Sequence, residues 1–371
     1  MLTLIIVIVL LLTGLLMPKN SKVSILGWIY LGWISVTAPT NYLGDYLAYK
    51  SVYNDLYAYQ GIFESGYTFL EKIGNQSGLV FDQFRLLFVA VTIILFYIGV
   101  SRFTKNHALF LAVYIIAFYS YDLIQMRSQF MIGLVLVAFS SLIGEGNTKI
   151  KVIIATMLIY LAAQIHSSGY IFLFGIILFL SVKQFKQLAQ VLLPLTLITS
   201  ILIPLLFRSS LFMSFVNFLG SMTGRNVLAD KLLVLFTGGV SSSLKLWYLI
   251  PLLLAWFIIK VVVGTFGNKD TSFLVQQKYR ILISGSIIGF IGFALLSIAP
   301  DYSRLFRHGM TFLIVLAAYF IEQANQNKTL SQRRIMVTSL VILFTCFAFY
   351  VTSRTWGPYA QWSIPFILKI Y

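Results

Sequence analysis

Apolar residues in this chain come in long blocks, not in the alternating or every-third pattern of a soluble fold. Blocks occupy residues 2–17, 23–37, 86–100, 108–121, 129–143, 150–163, 170–182, 188–207, 246–263, 281–298, 309–321 and 335–351. A helix needs roughly 20 apolar residues to cross a bilayer, so several of these twelve are short. In hydrocarbon the chain must satisfy its own backbone groups, and runs of this kind do so as helices. The pattern predicts an all-α polytopic integral membrane protein, one bundle over residues 1–371 with about 12 transmembrane helices. The first block has no basic residue ahead of it and no small-x-small cleavage site, so it reads as a retained helix, not a cleaved signal.

The segments between blocks are unequal. Two are long, 38–85 and 208–245, and alternation along the chain puts both on one side. Short amphipathic helices are expected in them, and long loops on one face usually carry function. If residues 18–22 face the cytoplasm, the loops on that side hold 15 basic residues against three acidic ones (Glu145, Asp270 and Glu322), leaving 12 basic and 8 acidic for the other side. The positive-inside rule then places both termini and both long loops outside, in a multi-pass protein of the cytoplasmic membrane.

Composition supports this. The chain is 59% hydrophobic and 10% charged, whereas a soluble chain is about 45–50% apolar and about 25% charged. Its net charge of +16 would suggest nucleic acid in a soluble protein. Here the basic residues sit in loops, and no nucleic-acid partner is expected. The single cysteine, Cys346, allows no disulfide within the chain.

Polar residues at the outer boundary are the candidates for chemistry. Tyr42, Tyr46, Tyr49, Tyr53 and Tyr57 recur every three or four residues, one stripe on a helix. Such a stripe suits an interfacial helix or a platform on which sugar rings stack, with Asp45 beside it. Glu64 precedes Ser65-Gly66-Tyr67 where the chain returns toward the membrane. Arg127 lies between two apolar blocks, either paired with Asp122 or free to clamp an anion. His166, in Gln164-Ile-His166-Ser-Ser, is similarly placed and is able to donate, accept or relay a proton. Arg304 and Arg307 are three apart, so they share a helix face and suit either outer-leaflet anchoring or a diphosphate. His107 lies at the inner end of its helix, outside this group. Arg225 and Lys231, in the second long loop, are weaker candidates. No phosphate-binding glycine loop, metalloprotease motif or Asp-x-Asp pair is present. The donor is therefore not expected to carry a soluble nucleotide, and no metal or other cofactor is expected.

In order along the chain, Asp45-Tyr46, Glu64-Ser-Gly-Tyr67, Arg127-Ser-Gln-Phe, Ile165-His166-Ser167 and Arg304 resemble the motifs of the EpsG and Wzy-type bacterial polysaccharide polymerases, over most of residues 40–320. Ser128 stands where that family usually has Gln, which leaves Gln129 as the candidate for its role. Arg307-His308 stands where an aromatic is common, so Arg307 is an alternative to Arg304. The resemblance implies a membrane glycosyltransferase that joins oligosaccharide repeat units carried on undecaprenyl diphosphate, making capsule, exopolysaccharide or O-antigen. Membrane lipid, and a flippase and chain-length regulator of the same pathway, are the partners it implies. His166, Asp45 and Arg127 would be catalytic. Arg304, Arg307, Glu64, Tyr46, Tyr67 and Gln129 would bind substrate. A lipid-linked sugar flippase, a glycan ligase and an O-acyltransferase are the rival readings.

Overall fold

The computed structural model describes residues 2–37, 45–58, 61–182, 184–207, 214, 242–267 and 272–355. Among them the only regular structure is helical. In chain order the helices are α1 (Leu2–Leu16), α2 (Ser21–Thr37), α3 (Tyr46–Asn54), α4 (Ser65–Gln76) and α5 (Phe81–Phe103). Helix α6 (His107–Tyr114) passes through a π-helical turn (Ile115–Tyr119) into α7 (Ser120–Ile124). Then come α8 (Met126–Ser140), α9 (Thr148–Ile165), a 3₁₀ turn (Ser167–Ile171), α10 (Phe172–Ser181) and α11 (Phe185–Phe207). The series ends with α12 (Ser242–Phe266), α13 (Phe273–Leu295), α14 (Ser303–Asn325) and α15 (Ser331–Thr355).

All twelve apolar blocks fall on these helices. Eight are long and apolar enough to cross a membrane: α5, α6 with α7, α9, α11, α12, α13, α14 with its leading turn, and α15. The other four blocks lie on α1, α2, α8 and α10. Fifteen residues, the length of α1 and of α8, rise only about 22 Å, short of a hydrocarbon core of about 30 Å. The same shortfall shows in the lengths of the apolar blocks. Of the long segments, 38–85 contains α3 and α4, with 38–44 and 59–60 outside the described residues. Nearly all of 208–245 lies outside them, including Arg225 and Lys231.

Burial ranks the helices. The crossing segment of α14 is entirely buried, while those of α9 and α11 are mostly exposed to the surroundings. Helix α14 is thus the axis of the bundle. It packs on α13 through facing glycines, a close approach typical of helices in lipid. A methyl group at Gly309 would overlap the backbone of Gly289, and one at Gly292 would overlap that of Phe306.

One end of the bundle carries basic side chains that close helix C-termini. Lys278 donates to the Phe103 carbonyl (2.9 Å) and Arg280 to that of Val182 (2.8 Å). Arg333 donates to the Thr265 hydroxyl (2.9 Å), and Arg334 to the Leu15 carbonyl. The last carbonyls of a helix lack partners within it and carry partial negative charge, which suits cations. Glu322 is buried here and accepts from the Thr104 hydroxyl (2.6 Å) and the Lys105 N–H (2.8 Å). His107 accepts from the Trp28 indole N–H at 3.1 Å. The candidate site lies at the opposite end.

Candidate functional site

The segment Glu64-Ser65-Gly66-Tyr67 starts α4, and each of its residues has its own task. The Glu64 carboxylate pairs with Arg127 through one oxygen and accepts the Ser167 N–H at 2.8 Å through the other. The Ser65 hydroxyl donates to the Gln164 side-chain oxygen at 2.6 Å. Gly66 leaves room for α9: a Cβ there would stand 2.7 Å from Gln164 Cβ and 2.8 Å from its carbonyl oxygen. The Tyr67 ring turns inward and is fully buried. Burial works to raise the Glu64 pKa, but the Ser167 N–H and Arg127 outweigh it and hold the carboxyl below its ordinary range.

Arg127, in the first turn of α8, is caged by rings. Its guanidinium carbon lies 4.0 Å from the Phe63 ring centre, 5.4 Å from Tyr67 and 5.5 Å from Tyr49. Attraction to ring faces and the bond to Glu64 orient its planar fork. The pairing with Asp122, one of the alternatives for Arg127, is not formed. Asp122 lies 3.6 Å from Arg307 and accepts the Tyr114 hydroxyl at 2.7 Å. Asp122, just beyond the π turn, is buried in the core.

His166 closes α9 and opens the following 3₁₀ turn. Its Nδ1 accepts the Ser168 N–H at 3.3 Å and lies 2.7 Å from the Ser168 hydroxyl. A neutral imidazole whose Nδ1 accepts carries its proton on Nε2. Burial pushes the ring down to about 4, helped by Arg127 and Arg304 and opposed by Glu64. His166 is therefore a neutral N–H donor at physiological pH.

Across from it, Arg304 in the first turn of α14 pairs with Asp301 at 3.0 Å. His166, Ser167, Ser168, Asp301, Tyr302 and Arg304 line a cleft of about 340 Å³. Asp45, at the start of α3, lies within electrostatic reach of both Arg304 and Arg127. Burial lifts its pKa, and those two cations pull it back.

The structure thus brings together Asp45, Glu64, Arg127, His166 and Arg304. The other expected residues lie behind them. Arg307 is wholly buried, donates to the Gln125 side-chain oxygen at 2.8 Å and stands over the Tyr121 ring. Gln129 is buried and reaches the Tyr114 hydroxyl at 3.5 Å. Tyr46 is buried and donates to Asp82 at 2.7 Å. The tyrosine stripe is neither a platform nor an interfacial face: Tyr46, Tyr49 and Tyr53 pack inward on α4 and α5. Tyr57 is exposed, and Tyr42 lies outside the described residues. No group of three or more His, Cys, Asp or Glu side chains placed to hold a metal occurs among the described residues.

Sequence reading missed Gln164, Ser168 and the caging Phe63. The only signal for Gln164 and Ser168 was a polar residue two positions on either side of His166. Phe63 gave none.

No curated protein and no solved structure matches this chain. One family does: the model described as the EpsG family matches residues 25–363.

Proposed function

The chain belongs to the EpsG family, a family of Wzy-type polymerase character, and so is a polysaccharide polymerase-type membrane protein; from that premise we propose that it joins oligosaccharide repeat units carried on undecaprenyl diphosphate at the outer face of the cytoplasmic membrane. The observation that carries this reading is the convergence of two arginines, a neutral histidine and two carboxyls at one end of a helical bundle.

In the proposed reaction a hydroxyl oxygen of one lipid-linked unit attacks the anomeric carbon of another. The bond from that carbon to the diphosphate oxygen breaks, and the lipid diphosphate leaves with the electron pair. Arg304 and Arg127 neutralise the charge that develops on it, the role in which fixed cations contribute most to a rate. The hydroxyl proton passes to Asp45, whose burial-raised basicity suits a general base. His166 orients the reacting oxygens through its Nε2 proton. Glu64 fixes the Arg127 fork. Arg307, Gln129, Tyr46 and Tyr67 act from behind, as the wall that holds α3, α4, α8 and α14 in place.

Purified protein and one lipid-linked repeat unit test this. Longer lipid-linked glycans are expected, and R127A, H166A and R304A should each lower their formation at least 100-fold. Normal polymer from all three variants would overturn the site. Transfer only to an acceptor other than the repeat unit would replace polymerase by ligase.

A further inference from the structure

Glu71 has no place in the chemistry above. It lies on the buried face of α4, fully shielded from solvent, and neither carboxyl oxygen has a hydrogen-bond partner among the described residues. One turn earlier, Tyr67 is equally buried; among the described residues its hydroxyl makes no hydrogen bond of ordinary geometry, but it stands within interaction distance of the Glu71 carboxyl. Residues four apart on a helix are neighbours, so an acid and a phenol stand together in an apolar wall. The Tyr67 ring is one of the three that cage Arg127.

What surrounds Glu71 decides its charge. Its own helix offers Tyr67, α3 offers Tyr53, and α8 offers Arg127. Helix α5 contributes the rings of Phe84 and Phe88 against Tyr67. Its charged residues are engaged elsewhere, Asp82 with Tyr46 and Arg85 with the Ser35 and Val36 carbonyls. From α9, Gln164 is bonded to Ser65 and Tyr170. Among the described residues the one cation within reach, Arg127, is already paired with Glu64. A carboxylate without a dedicated partner is costly in such a place, and a carboxylic acid is not.

We infer that Glu71 is a positioning residue that works as a neutral acid: its proton keeps the Tyr67 end of α4 seated against Arg127, and loss of that proton loosens the cage. Burial raises this carboxyl to about 8, against weaker pulls from Tyr67 and Arg127. The acid is therefore protonated at neutral pH and ionises just above it. The negative charge then competes with Glu64 for Arg127. The idea rests on Arg127 being the anion clamp for its functional meaning, but not for its test.

The test compares full-length wild type, E71Q and E71M in lipid nanodiscs. The readout is the rate at which phenylglyoxal modifies Arg127, followed by peptide mass spectrometry at pH 7 and pH 9. Comparing variants at one pH removes the reagent's own pH dependence. Equal rates are expected at pH 7. At pH 9 the wild type should react at least threefold faster than either variant. Equal rates at pH 9, or a wild type that already differs from E71Q at pH 7, would overturn the inference. E71M guards against an amide that disturbs the wall. Polymer assays run in parallel: an alkaline loss of activity in wild type that E71Q lacks is expected, and identical profiles would count against it. If wild type makes no polymer, the proposed function falls, while the reactivity ratio still decides the role of Glu71.

Discussion

Arg304 and Arg307 stand three residues apart, yet one lines a cleft and the other is sealed in the core. Breaking a buried ion pair from one side leaves an unmatched charge and costs about 3–5 kcal/mol. R307A should therefore fail to accumulate as folded protein, whereas R304A should fold normally and lose polymer; size-exclusion profiles in detergent beside polymer gels will show which arginine does what. The sequence announced a pair of arginines on one helix, but not that the π turn would deliver Asp122 to the second of them. It announced His166 and left its protonation open, since that depends on burial and on Ser168. Because burial depresses this ring, the neutral form is favoured in the folded state. Its contribution to stability is complete above the unfolded value of about 6.5 and is lost as pH falls toward about 4. Thermal unfolding scans should show wild type losing stability across that window and H166Q losing markedly less.

Between α4 and α9 the contact is made by a few atoms. Ser65 bonds to Gln164, Glu64 to the Ser167 N–H, and Gly66 admits the α9 backbone. A methyl at Gly66 has to displace backbone, and overpacking of this kind costs about 1–3 kcal/mol. G66A should thus free α4 and raise its amide hydrogen exchange, while S65A, which removes one partly exposed hydrogen bond worth about 0.5–1.5 kcal/mol, should loosen it less. Exchange rates of α4 peptides that are equal in both variants would refute this ranking. The sequence motif Glu-x-Gly-Tyr was visible, but its meaning was not. It is a docking surface between two helices distant in sequence as much as a source of chemistry. The stripe of tyrosines shows the converse. Its period matches α3 over Tyr46–Asn54, with Tyr57 beyond the helix, but period alone does not say whether a face meets lipid, sugar or neighbouring rings.

At the scale of the whole bundle, apolar blocks located every long helix, because length and hydropathy are local properties. Eight of them lie on helices of full crossing length among the described residues, and the blocks already read as short include those on α1, α8 and α10. The basic end of the molecule was legible as a charge excess, but its second role needed coordinates. Each of four cations seals a helix other than its own. The widest of these links joins Arg334 to Leu15 across 319 residues. A ribosome makes α1 long before α15, so although Asn106 reaches the Gly14 carbonyl early, the Leu15 carbonyl waits for its partner until Arg334 is made. Nascent chains arrested before residue 334 should therefore hold α1 in an unsettled state that a protease reaches, and release past that point should close it in a single late step. For this protein, the settling of α1 is an event timed by α15.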